Sequence, residues 1–260
     1  MLHEQTLFNT IDLVDIAIER IKNFEPKDGY YVAFSGGKDS IVVLDLVQKA
    51  GVKYDAHFNL TSVDPPELIR FIMKNYRYVE RHRPERTMWQ LIVDHKMPPT
   101  RLVRYCCREL KEGGGRGRLV VTGVRWEESS KRRQRKMVES CTHSKNTRYL
   151  HPIIDWSDGD VWEYIHSNGL PYPVLYDEGF KRIGCIGCPM STHRQAEFGR
   201  WPNYEQKYRN AFAAAIKAIR DTRGEDYTGQ NTKWETGDDM FDWWMQERTK
   251  KDEAQYVLFE

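Results

Sequence analysis

The stretch Tyr30-Tyr31-Val32-Ala33-Phe34-Ser35-Gly36-Gly37-Lys38-Asp39-Ser40 constrains this chain more than any other. Its aromatic and β-branched start predicts a short buried strand, and the apolar residues from Ile41 to Ala50 predict a helix that stops at Gly51. Between them, Ser-Gly-Gly turns strand into helix. Glycine allows close approach and unusual dihedrals, so several backbone N–H groups converge on one point, and the positive end of the helix dipole adds to them. That point is an anion site. Lys38 can contribute a compact charge there, and the Ser35 and Ser40 hydroxyls can donate to phosphate oxygens. Asp39 cannot bind phosphate directly; it orients the loop or helps hold a Mg²⁺ that bridges phosphates. The loop is neither G-x-x-x-x-G-K-[ST] nor G-x-G-x-x-G.

The alternation continues. Tyr54, Ala56, Phe58 and Leu60 share one face of a second strand, a helix opens near Pro66-Glu67, and a third strand is expected around Tyr78-Val79-Glu80. A helix from Thr87 through Asp94 comes next, and Gly113-Gly114-Gly115 with Gly117 connects to a strand at Leu119-Val120-Val121-Thr122-Gly123-Val124. Strand–helix alternation of this kind predicts a parallel sheet. Before it, Leu7, Ile11, Val14, Ile18 and Ile21 recur at helical spacing; after it, Ser157-Asp158-Gly159-Asp160 resembles a helix N-cap. The segment from Gly169 to Pro189 is rich in Gly and Pro and reads as loop. Tyr208, Phe212, Ile216 and Ile219 mark a long amphipathic helix, and Phe241, Trp243, Trp244 and Met245 a last one docking through aromatic side chains. The expected organisation is a nucleotide-binding domain over residues 1–190 and a helical extension over 191–260 packed on it.

The hexapeptide from Ser35 to Ser40 resembles the pyrophosphate loop of the adenine nucleotide alpha-hydrolase superfamily. Further blocks resemble those of the phosphoadenosine-phosphosulfate (PAPS) reductase family: Thr61 with Asp64-Pro65-Pro66-Glu67, Gly123-Val124-Arg125 with Glu128-Ser129 and Arg132, and His151-Pro152-Ile153-Ile154-Asp155-Trp156. Leu175-Tyr176-Asp177-Glu178-Gly179 running into Arg182-Ile183-Gly184-Cys185 is a fourth. The resemblance implies an α/β fold with a doubly wound, mainly parallel sheet, and an adenine nucleotide (ATP, or the adenosine-phosphosulfate type, APS or PAPS) lying across the ends of the first strands. It gathers Ser35, Gly36, Gly37, Lys38, Asp39, Ser40, Thr61, Asp64, Gly123, Arg125 and Glu128 around that nucleotide. Arg125 directly follows a strand, where its guanidinium could clamp phosphate or sulfate bidentately.

Of five cysteines, four fall into two close pairs, Cys106-Cys107 and Cys185-x-x-Cys188. In a reducing compartment such pairs read as metal ligands or redox groups before disulfides. Four thiolates suit either one zinc ion or a [4Fe–4S] cluster, and adjacent Cys106-Cys107 is easier to fit to the larger cluster. Buried thiols without metal are the third reading. The pattern is similar to that of the adenosine-phosphosulfate reductases and of DNA-phosphorothioation sulfur-transfer proteins, which implies a [4Fe–4S] cluster near the nucleotide and a redox or sulfur-donor protein as partner. Cys141 follows the basic stretch and is either a reactive thiol or a small buried hydrophobe. The family's reductases use a further cysteine in a C-terminal Glu-Cys-Gly-[Ile/Leu]-His segment, and no cysteine follows Cys188 here. Sulfonucleotide reduction would then need Cys141 or an external thiol.

Three activities follow as expectations: an enzyme that splits ATP between the α and β phosphates for adenylation or sulfur transfer, with Lys38, Asp39 and Arg125 at the reacting phosphates; a sulfonucleotide reductase using an unusual thiol such as Cys141; or a non-catalytic nucleotide-binding subunit of a larger assembly. Lys plus Arg number 40 against 38 Asp plus Glu, so a net charge of +2 announces no nucleic-acid or membrane partner. The run from Lys131 to Lys136 is a local exception, either a solvated helix face or a contact for phosphates or a nucleic-acid backbone. No stretch approaches the roughly 18 consecutive apolar residues of a membrane span, and the start lacks a secretory pattern, so a cytoplasmic protein is expected. His143, His151, His166 and His193 lack zincin-type spacing and read as polar filler.

Overall fold

Strands and helices follow the order in which the sequence sets out its apolar runs. A computed structural model describes residues 2–5, 10–140, 146–223 and 234–246. In chain order they form β1 (His3–Gln5), β2 (Thr10–Asp12), α1 (Leu13–Asn23), β3 (Tyr30–Ala33), α2 (Lys38–Ala50), β4 (Tyr54–Asn59), α3 (Pro66–Asn75) and β5 (Glu80–His82). Then come α4 (Met88–His95), α5 (Tyr105–Leu110), β6 (Leu119–Val121), β7 (Val138–Ser140), β8 (Arg148–Leu150), α6 (Asp158–Ser167), α7 (Arg194–Arg200), α8 (Pro202–Arg223) and α9 (Gly237–Met245).

Among the described residues, β3 to β8 form one six-stranded sheet in the order β5-β4-β3-β6-β8-β7. Neighbours run parallel except β7, which pairs antiparallel with β8 at one edge. The jump from β3 outward to β4 on one side and β6 on the other makes this a doubly wound sheet, and ligands of such sheets bind at the carboxyl ends of the strands where the order reverses. β3 is the strand that runs into the glycine pair.

Two compact units interleave along the chain. The first draws on residues 1–60, 64–83 and 110–184, the second on 61–63, 84–109 and 185–260. In the first, Tyr30, Val32, Ala56, Phe58, Leu119 and Val121 point from one sheet face into the main core. Helix α2 is buried nearly all round by Ile41, Val42, Val43, Leu44, Leu46 and Val47, which explains why its sequence is apolar without a clean stripe. The alternate residues Tyr31, Asp55 and His57 belong to the opposite face.

The second unit packs α8 against α4 and α9. Phe198, Tyr208, Phe212, Phe241 and Trp244 are buried together there, and the Trp244 indole N–H donates to the Pro99 carbonyl at 2.7 Å. A Cβ on Gly237 would lie 2.5 Å from the Ala213 backbone nitrogen, so only glycine lets α9 approach α8 this closely.

Several boundaries differ from the sequence reading. The first helix begins at Leu13, not near Leu7, because the Asp12 carboxylate accepts from Val14 N and Asp15 N and stops the helix there; Leu7 lies outside the described residues. The basic run is no helix face but a single 3₁₀ turn, Arg132–Gln134. No helix among the described residues is long and apolar enough to cross a membrane.

Candidate functional site

The phosphate loop forms as the strand-to-helix chemistry requires. Gly36 sits at φ 72°, and a Cβ there would lie 2.7 Å from Ile72 Cδ1 and 2.8 Å from Leu68 Cδ1, so both conformation and space demand glycine. Gly37 is the N-cap of α2 and offers no side chain to the helix amides. Ser40 Oγ donates to Gly37 O at 2.8 Å and accepts from Ser35 N at 3.2 Å, closing the loop on itself. Lys38 N donates to the Tyr176 hydroxyl at 3.0 Å, the only cap the first turn receives from a side chain among the described bonds.

Two cations share two acids at the mouth of α2. Lys38 Nζ lies 3.2 Å from Asp39 Oδ2 and 2.8 Å from Asp158 Oδ1. Arg125, 2% exposed, donates from Nε to Asp39 Oδ1 at 2.6 Å and from Nη2 to Asp158 Oδ1 at 3.0 Å; Nη1 reaches Glu127 Oε2 and the Trp156 carbonyl, each at 3.2 Å. Burial works to raise the Asp158 carboxyl, but hydrogen bonds and charge from Lys38 and Arg125 outweigh it and hold it below the usual carboxylate range. Burial likewise works against the Arg125 charge, and Asp39 first among its acid neighbours more than restores it. Gly123 lies two residues past the end of β6, and a Cβ there would come within 2.9 Å of the Asp39 backbone. That glycine lets the β6 exit touch the start of α2. Glu128 accepts from Arg125 N at 2.9 Å and pairs with Arg132.

In the second unit, Cys106 and Cys107 lie on α5, and Cys185 and Cys188 bracket a turn whose Gly187 takes φ 70°. A Cβ on Gly187 would lie 2.7 Å from Phe198 Cζ and 2.9 Å from Tyr208 Cε2; Tyr208 Oη donates to Ile186 O at 3.0 Å and Gly187 N donates to Glu197 Oε2 at 2.8 Å. The turn is seated by aromatic side chains of α7 and α8. A hydrogen bond with Cys107, then burial, then the charges of Cys107, Cys185 and Cys188 all push the Cys106 thiol up. Thr61, fully buried, belongs to this unit, with its Oγ1 3.5 Å from Cys185 Sγ.

The geometry agrees with the comparison to known proteins. Residues 29–191 match the phosphoadenosine phosphosulfate reductase domain. The chain belongs to this family. Among the relatives, an uncharacterized protein of Methanocaldococcus jannaschii is 33% identical over 199 residues, covering 70% of this chain but only 39% of that protein's length. The adenosine 5′-phosphosulfate reductase of Oceanobacillus iheyensis is 29% identical over 186 residues, 65% of this chain and 75% of that enzyme. The crystal structure of phosphoadenylyl-sulfate (PAPS) reductase from Candida auris, a phosphate complex, superimposes with a TM-score of 0.50 at 22% identity, covering 65% of this chain and 87% of that one, which shows the shared fold.

The structure thus brings Ser35, Gly36, Gly37, Lys38, Asp39, Ser40, Gly123, Arg125 and Glu128 together in the first unit, where buried Asp64 also resides beside the start of α3. Thr61 sits with the cysteines of the second unit instead. Cys141 and His143 lie outside the described residues. Sequence reasoning missed Asp158, Glu127 and Tyr176 as members of the site. Asp158 was legible only as part of a helix cap, and Tyr176 only as part of a family block; neither spacing says that it folds back onto α2. In the basic run, Arg132 and Arg135 pair with Glu128 and Glu139, while Lys131, Arg133 and Lys136 are exposed. His151 is fully buried, held by Thr122 at 2.7 Å and Glu139 at 3.3 Å.

Proposed function

We propose that the first unit binds the phosphates of an adenylyl nucleotide at the Ser35–Ser40 loop and splits ATP between its α and β phosphates, in an adenylation or sulfur-transfer reaction. The observation that supports this reading is the sharing of Asp39 and Asp158 between Lys38 and Arg125 at the start of α2. Acids placed beside a phosphate cradle repel a bare polyphosphate, but they suit one that arrives with a divalent cation. Asp39 and Asp158 would hold Mg²⁺, which supplies charge neutralisation to the departing pyrophosphate. Lys38 and the uncapped amides of α2 stabilise the same developing charge, and Arg125 orients the acids from below. No protein nucleophile is needed for that step.

The four thiols of the second unit fit a soft, thiolate-bound centre: Cys106, Cys107, Cys185 and Cys188 would hold a [4Fe–4S] cluster, or zinc in the same donor set, and a cluster would supply the electron or sulfur chemistry. A second reading, reduction of an adenosine-phosphosulfate-type nucleotide, is favoured by the relatives named adenosine 5′-phosphosulfate reductase. It would draw its thiol from Cys141 or from a partner protein.

Calorimetry with ATP plus Mg²⁺ and with adenosine 5′-phosphosulfate, paired with assays for pyrophosphate and for thioredoxin-dependent sulfite, separates these readings. Pyrophosphate release supports the first, sulfite release the second, and tight binding without turnover a nucleotide-binding subunit. Charge-assisted contacts contribute about 1.5–3 kcal/mol each, so Lys38→Ala with Asp39→Ala should weaken nucleotide binding by roughly 10- to 100-fold or more. Unchanged affinity in the folded double variant defeats the whole reading.

A further inference from the structure

We propose that His57, Glu80 and His82 form a binding site for a divalent ion of the zinc class at the β4–β5 edge of the sheet. This inference does not rest on the nucleotide reading. The parallel register sets His57 beside Glu80 and Asn59 beside His82, so the two histidines and the acid share one sheet face. His57 Nδ1 lies 2.7 Å from His82 Nε2 and 3.4 Å from Glu80 Oε2, and His82 Nε2 lies 3.8 Å from Glu80 Oε1. One donor atom from each residue thus falls within 4.8 Å of the other two.

The surroundings fix which atoms point inward. His57 Nε2 is in contact with Asp55 Oδ2, and Asp55 is gripped by both Arg118 terminal nitrogens at 2.5 and 2.6 Å. A carboxylate on Nε2 keeps the proton there and leaves a lone pair on Nδ1, the nitrogen that faces Glu80 and His82. Tyr31 stacks on the same imidazole at 4.1 Å between ring centres and 5° between planes, which holds its orientation. An acid that grips the outer nitrogen of an inward-facing histidine is the usual second layer of a metal site.

The inner side then presents a lone pair and a carboxylate to one another, and something positive must lie between them. A proton on His82 Nε2 satisfies the histidine pair alone; a divalent ion satisfies all three groups. Tetrahedral zinc, with ligands at about 2.0–2.1 Å, sets neighbouring donors roughly 3.3 Å apart. The separations of 3.4 and 3.8 Å lie at and just above that value, and the 2.7 Å histidine contact would open by about half an ångström on the same geometry. The room exists, since His57 is the buried anchor while the side chains of His82 and Glu80 are 40% and 64% exposed. Imidazole with carboxylate selects zinc, cobalt or iron over magnesium, and three protein ligands leave a position open to water.

The test is Co²⁺ titration of the full chain, followed by Zn²⁺ competition, in the wild type, Glu80→Gln and His82→Ala. Thiolate-to-cobalt charge transfer reports the cysteines, and visible bands without it report the nitrogen–oxygen site. The wild type should bind one Co²⁺ without thiolate charge transfer, displaced by Zn²⁺, and each variant should bind it at least 100-fold more weakly. Glu80 is exposed, so Glu80→Gln should keep the wild-type circular dichroism and melting temperature in EDTA. Equal stoichiometry and affinity in the wild type and Glu80→Gln overturns the proposal and leaves a plain histidine–histidine hydrogen bond. X-ray absorption of the zinc-loaded wild type gives an independent check: a zinc shell of sulfur alone, without imidazole scattering, overturns it as well.

Discussion

Two glycines and one acid decide most at the residue scale. Gly36 combines a left-handed φ with a Cβ position already taken by Ile72 and Leu68, so Gly36→Ala should destabilise the protein by about 1–3 kcal/mol, read as a lower denaturant midpoint. Gly123→Ala meets the backbone of Asp39 instead of a flexible side chain. It should displace the start of α2, lower the melting temperature, and weaken nucleotide binding about tenfold, on the scale of one lost contact. Asp158 carries a pH prediction. Its folded carboxyl lies below the ordinary value of about 3.9, so its ionised form stabilises the fold above that pH, and the contribution is lost as pH falls through the lower folded value. Melting temperatures of wild type and Asp158→Asn should therefore separate above about pH 4 and converge in stronger acid. Parallel curves across the whole range would count against the ion network.

The capping box of α6 links local structure to the site at the element scale. Ser157 Oγ accepts from Asp160 N at 3.1 Å, and the Asp160 carboxylate accepts in return from Ser157 N at 2.8 Å, which fixes Asp158 on the first turn. Ser157→Ala should cost about 1 kcal/mol, roughly 2–4 °C in melting temperature for a chain of this size, and should also weaken nucleotide binding through Asp158. The β3–loop–α2 unit was legible in the sequence because its signal is local: an apolar strand, a glycine pair and a helix in one unbroken stretch from Tyr30 to Ala50. The start of α3 at Pro66 and of α4 after Thr87 were legible for the same reason, each carrying its own cap chemistry. What escaped depends on register or on distant partners. Nothing in the spacing of His57 and His82 says that β4 and β5 align them, and nothing in Val138–Ser140 announces an antiparallel edge strand. Asp158 and Tyr176 reach α2 from more than a hundred residues away, which periodicity cannot see.

For the whole molecule, the second unit gathers its sulfurs from α5 and from the 185–188 turn and seats that turn on Phe198 and Tyr208. Protein purified without oxygen should carry iron and acid-labile sulfide with a broad visible absorption, and Cys185→Ser should lose most of both; stoichiometric zinc without iron would assign the other occupant. Trp244→Ala, which empties the aromatic core of this unit, should cost about 3–5 kcal/mol and lower the thermal midpoint accordingly. The interleaving of the two units has a practical outcome for anyone who wants to divide the polypeptide. A scission after residue 190 leaves Cys185 and Cys188 on one fragment and Tyr208, whose hydroxyl holds the Ile186 carbonyl, on the other. The thread passes back and forth between the units, so neither can be released whole by one cut, and fragments made that way would have to find each other again before the sulfur turn could be rebuilt.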